Sequence, residues 1–92
     1  MTLALGIDPG TATTGYGLVR LMPNGDLVAV SYGILSTSKD ATPAARLEML
    51  FDQLNDLLKE HKPDTAAVEK LFFQTSVKTA LAVGHARGVI LL

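Results

Sequence analysis

The sequence predicts an α/β fold in which a mixed sheet of four strands carries one helix between its third and fourth strands and another after the fourth. Three observations predict it. Apolar runs of strand length up to Leu35 are separated by Pro-Gly and Asn-Gly, a long stretch repeats apolar residues at three- and four-residue spacing, and a short apolar strand follows that stretch directly. A chain of 92 residues has room for one core. Its 48% hydrophobic and 18% charged residues exclude a disordered tail.

The first strand is Leu3 to Asp8, a buried run that stops at Pro9-Gly10. Two further runs, Tyr16 to Leu21 and Leu27 to Leu35, flank Pro23-Asn24-Gly25-Asp26. Asn-Gly there signals a reverse turn, so these runs pair as an antiparallel hairpin. Thr42 caps a helix with Pro43 at its first position, and Leu47, Leu50, Phe51, Leu54, Leu57 and Leu58 form its apolar face. Lys59, His61 and Lys62 suit the negative end of that helix, and Pro63 stops it. A short buried strand, Thr65 to Glu69, comes next. A second helix starts near Thr75-Ser76 and runs to the end, with Ala80, Gly84 and Gly88 as a stripe for close packing.

A helix joining the hairpin to the fourth strand makes a right-handed crossover, which lays strand four parallel to strand one. The last residues, Val89-Ile90-Leu91-Leu92, have no cap or polar tail, and the expectation is that residues 1–92 are the front part of a longer, truncated domain.

Charge and composition narrow the chemistry. The absence of cysteine excludes disulfides and thiolate ligands, so a metal must be held by oxygen or by the two histidines, which makes hard cations the candidates. All nine acids lie in residues 1–69, whereas Lys70, Lys78, His85 and Arg87 leave the remainder locally basic. That surface is either a solvated helix face or a phosphate contact. No apolar run approaches the roughly 18 residues of a membrane span, and the N-terminus lacks a signal-peptide layout, so the expected location is the cytoplasm, without membrane contact.

Asp8 and Glu69 are the candidate catalytic and metal-binding residues. Each ends a strand, the two strands are expected to be neighbours, and ligands favour the carboxyl edge of such sheets. Alternation puts Ala4 and Gly6 on the side of Asp8, and Thr65 and Ala67 on the side of Glu69, which leaves room around both acids. Two converging carboxylates repel one another unless a cation lies between them. Mg²⁺ or Mn²⁺ suits oxygen ligands, and a pair of such ions can drive phosphodiester cleavage. Plainer roles compete: Asp8 can organise a turn, and Glu69 can pair with Lys70. His61 and His85 lack partners at ligand spacing, and neither a Gly-x-Ser-x-Gly elbow nor a phosphate-binding Gly-Lys-Thr loop occurs. Phe72 and Phe73 can stack on unpaired bases or pack in the core.

Gly6-Ile7-Asp8-Pro9-Gly10, Thr14-Gly15-Tyr16-Gly17, Val68-Glu69 with Phe72, and Gly84-His85-Ala86-Arg87-Gly88 together resemble the RuvC-type Holliday junction resolvases over essentially the whole chain. The resemblance implies a ribonuclease-H-like fold and a homodimer that cuts four-way DNA junctions in recombination and repair with Mg²⁺ or Mn²⁺. It also implies a junction branch-migration helicase complex as partner. It makes Asp8 and Glu69 the first two of four acids and Phe72 the aromatic set against junction bases with Phe73 beside it; on such a protein the phosphate contact expected of the basic stretch, with Lys70 and Lys78, would be with DNA. The helix that follows would serve the dimer contact. The other two acids and a later basic segment lie beyond residue 92 in that family, so residues 1–92 alone are expected not to cut DNA.

Two other readings stay open. Sugar kinases and actin-like ATPases also open with a strand, Asp, Gly and Thr, and Asp8-Pro9-Gly10-Thr11 partly fits their ATP-binding turn. A noncatalytic DNA-binding or dimerisation fragment is the second.

Overall fold

The computed structural model describes residues 2–10, 13–69 and 77–92, with side chains in the last stretch from Leu81 onward. Strands β1 (Thr2–Asp8), β2 (Thr13–Leu21) and β3 (Leu27–Ser36) precede helix α1 (Pro43–His61), strand β4 (Thr65–Val68) and helix α2 (Val77–Leu91). The sheet order is β3-β2-β1-β4. Both pairings among the first three strands are antiparallel, and α1 carries the crossover that brings β4 alongside β1 in parallel.

Alternation along the strands splits the sheet into two unlike faces. Leu3, Leu5 and Ile7 of β1, Leu18 of β2 and Leu35 of β3 are buried against Leu50, Leu54 and Leu57 of α1 and Ala86 of α2. The spacing of the three leucines on α1 keeps them on one side of the helix, while Phe51 and Leu58 fall on its flanks and stay partly exposed. The opposite face carries Ala4, Gly6, Gly15 and Gly17, with Tyr32 and Ile34 standing out 83% and 65% exposed, so the described helices cover one side only.

Local signals account for the connections. The Thr42 hydroxyl accepts the Ala45 N–H at 3.2 Å, which caps α1 as expected. The Arg46 Nε donates to Thr37 Oγ1 at 2.9 Å and Gln53 Nε2 to the Ser36 carbonyl at 2.8 Å, tying α1 to the end of β3. The hairpin turn is built on Pro23. The Gly25 N–H donates to Met22 O, and within this turn Gly25 takes the positive φ, of 91°. Proline fits the second position of such a turn, and the Asn24 side chain then accepts the Asp26 N–H at 3.0 Å.

The start of β2 and the burial of β4 are corrected, and a bulge in β3 and the cap of α1 are added. β2 begins at Thr13, because Thr13 to Gly15 pair with Ser36 to Ile34. β3 carries an extra residue, Val30, where the register shifts at Leu18/Val19. β4 is exposed from Thr65 to Ala67, because it is an edge strand of the sheet that the described residues form. The cap of α1 is Lys62 itself, in the left-handed region at φ 49°. The expected helix start at Thr75-Ser76 lies outside the described residues. No described helix is long and apolar enough to cross a membrane.

Candidate metal centre

The parallel register of β1 and β4 decides where the two acids go. Ala4 faces Thr65, Leu5 faces Ala66, Gly6 faces Ala67 and Ile7 faces Val68, so the next step sets Asp8 against Glu69. Asp8 is the last residue of β1 and Glu69 the first after β4, and the Glu69 N–H continues the ladder to the Ile7 carbonyl at 2.9 Å. Both acids therefore stand at the carboxyl edge, where their peptide dipoles and backbone direction are shared.

The side chains meet. A hydrogen bond between the two carboxyl groups holds the Glu69 carboxyl above the usual glutamate range, the negative charge of Asp8 pushes the same way, and desolvation adds to it. Two carboxyl groups can hydrogen-bond only with a proton between them. A divalent cation can take the place of that proton and neutralise both charges.

Space for it is present. Gly6, Asp8, Gly15, Gly17, Ala67 and Glu69 line an open depression of ≈ 510 Å³. A Cβ built on Gly15 would come 3.8 Å from that of Asp8, and one built on Gly17 would meet nothing within 4 Å, so the floor is set by backbone. Beside it, a Cβ at Gly10 would strike the Thr13 carbonyl, so the turn after Asp8 requires glycine for close approach. A second cavity, of ≈ 250 Å³ and lined by Leu35, Leu47, Leu50 and His85 among others, contains no acid and does not suit a hard cation.

The donor set is sparse. Among the described residues no group of three or more His, Cys, Asp or Glu converges. His61 lies 3.8 Å from Glu60 at the end of α1, and His85 is exposed on α2. Lys70, Phe72 and Phe73 lie outside the described residues, as does the Lys78 side chain.

Comparison with known proteins places this geometry. The family model for crossover junction endodeoxyribonuclease RuvC matches residues 4–92. The chain belongs to the RuvC family. The crossover junction endodeoxyribonuclease RuvC of Desulforamulus reducens is 48% identical over 98% of this chain and 55% of its own length. That of Heliobacterium modesticaldum is 49% identical over 96% and 54%. Among solved structures, Thermus thermophilus RuvC in complex with a Holliday junction substrate superimposes with a TM-score of 0.86 at 25% identity, over 99% of this chain and 56% of that one. The chain thus spans about half the length of the RuvC proteins it matches, and its mixed sheet is the ribonuclease-H-like one of that family.

Two residues of this RuvC-family chain support the site without having been singled out for it. Asp64 precedes β4 and bonds Leu3 at the start of β1, and the Arg87 Nε donates to the Glu69 carbonyl at 3.3 Å. An acid placed just after Pro63 and an arginine in a basic helix are signals too common to assign from the letters.

Proposed function

We propose that residues 1–92 are the front part of a single ribonuclease-H-like domain, in a divalent-metal-dependent endonuclease that resolves four-way DNA junctions. The meeting of Asp8 with Glu69 at the carboxyl edge of the sheet carries this reading. Membership of the RuvC family and the likeness to a RuvC that holds a Holliday junction substrate support it.

In this reading Asp8 and Glu69 hold Mg²⁺, with Mn²⁺ as the alternative. The bound ion supplies Lewis-acid activation of the attacking water and of the phosphodiester. The protein's own part is to fix both carboxylates on adjacent strands and to keep the approach open with Gly15 and Gly17. Two carboxylates are too few to hold two ions, so the reading requires further acidic ligands. Phe72 and Phe73 are assigned to unpaired bases at the junction, and Lys70 and Lys78 to the DNA backbone. A homodimer that works with a branch-migration helicase in the cytoplasm completes the assignment.

The test uses a full-length RuvC that carries residues 1–92 as its first half. Mg²⁺-dependent nicking of a four-way junction is expected, and Asp8→Asn or Glu69→Gln should abolish it while leaving the circular-dichroism spectrum unchanged. Unchanged cleavage in either variant refutes the assignment. Saturable ATP binding without junction preference would favour the actin-like reading instead.

A further inference from the structure

Glu69 is exposed and sits one residue beyond its strand, so its carboxylate position depends on how its main chain is held. One side is held by β1, through the Glu69 N–H and the Ile7 carbonyl. The other is held from α2, where the Arg87 Nε donates to the Glu69 carbonyl at 3.3 Å. Arg87 follows Ala86, the one described α2 residue in the buried core, at 4% exposure, so the arginine is attached next to a seated point of that helix. A guanidinium would ordinarily seek the carboxylate itself. Here it takes the carbonyl, and no described ion pair engages either Glu69 or Asp8, so both carboxylates stay available to a cation.

We propose that Arg87 is a positioning residue for the cation site, holding the Glu69 main chain so that its carboxylate meets Asp8. This rests on the metal-binding reading above. The sign of its effect separates it from a charge effect. Neutralising a positive group beside a cation site strengthens cation binding if charge alone matters, whereas losing an anchor behind a ligand weakens binding, typically by tenfold or more.

The experiment measures Mn²⁺ affinity of a full-length RuvC that carries residues 1–92 as its first half, by paramagnetic broadening of the Gly6, Ile7 and Asp8 amide signals, well below the melting temperature. It compares the wild type with Arg87→Met, which keeps the aliphatic stem, and Arg87→Lys, which keeps a donor. The metal-free carbonyl ¹³C shift of Glu69 is recorded in parallel.

The expected result is about tenfold weaker Mn²⁺ binding in Arg87→Met, recovery by more than half in Arg87→Lys, and a Glu69 carbonyl shift that moves in Arg87→Met alone. Equal or tighter Mn²⁺ binding in Arg87→Met overturns the proposal, as does a melting temperature that falls while affinity holds. Should the wild-type chain bind no Mn²⁺ at all while the Glu69 carbonyl still responds to Arg87, the anchor stands and the metal-binding reading falls.

Discussion

Asp64 grips Leu3 twice: its N–H donates to the Leu3 carbonyl at 2.8 Å, and its carboxylate accepts the Leu3 N–H at 2.8 Å. Those residues are 61 positions apart, and the parallel register that begins with them runs through Ala4/Thr65 and ends with Asp8 against Glu69. A slip of one residue would turn every β4 side chain to the other face and take Glu69 away from Asp8. The clasp at one end of the strand pair therefore sets the alignment of acids at the other.

Removing the clasp should show in both stability and site. Asp64→Ala leaves the Leu3 N–H without its acceptor and is expected to cost about 1–2 kcal/mol in urea unfolding, with weaker Mn²⁺ binding at Asp8. Asp64→Asn keeps an acceptor oxygen and should lose less than half as much. Equal loss in both variants would show that charge, not the acceptor, is what Leu3 needs.

A pH titration should report the shared proton. The Glu69 carboxyl is raised by its hydrogen bond to Asp8 and by the Asp8 charge. A group raised on folding contributes stability that is present below its unfolded pKa and lost as pH rises through the folded one. The metal-free chain should therefore melt lower as pH climbs from the ordinary glutamate range towards neutrality. Mn²⁺ should reverse that decline at neutral pH and do little in acid, where protons compete for the same oxygens. Differential scanning calorimetry of the wild type against Glu69→Gln checks it, since the variant should lose both the slope and the Mn²⁺ response.

The depression can be filled without touching the core. Gly15→Ala adds a methyl at ordinary contact with Asp8 and should be tolerated. Gly15→Leu should melt within a few degrees of wild type yet lower junction cleavage by the full-length protein about a hundredfold, because it displaces the reacting groups rather than the fold. Gel-based cleavage beside a thermal melt separates the two effects.

Lys62 offers a gain. It caps α1 with φ 49° and ψ 59°, its N–H donating to the Leu58 carbonyl at 2.9 Å. A left-handed backbone costs a side-chain-bearing residue about 1–2 kcal/mol, while glycine there adds an unfolded-state entropy cost of about 0.5–1 kcal/mol. Lys62→Gly is expected to stabilise the chain by roughly 0.5–1 kcal/mol, measured by chemical denaturation. Destabilisation would show that the Lys62 side chain contributes more than its backbone strain costs.

Much of the fold was legible because local chemistry and long-range packing agree. Leu3, Leu5 and Ile7 alternate as a half-buried strand should, Thr42-Pro43 starts α1, and Leu50, Leu54 and Leu57 repeat on one helix face. Asp8 and Glu69 could be paired because each ends an apolar run, and strand ends fall at one sheet edge. What stayed hidden depends on partners distant in the chain or on small backbone choices. The carboxylate of Asp64 finds Leu3 only after the crossover closes, Lys62 takes a conformation its residue type disfavours, and the extra residue at Val30 leaves no mark in composition. β4 looked buried because its residues are small and apolar, yet strand order, which no short motif encodes, places it at an edge.

The parallel alignment of β1 with β4 also has a kinetic side. Its contacts join the first residues of the chain to residues past the middle, so they raise the contact order and must wait until the hairpin and α1 have formed. A chain arrested earlier would hold both acids and have no site. Cation binding should thus appear last among the signals of refolding, so Mn²⁺ added to a refolding chain should slow unfolding much more than it speeds folding.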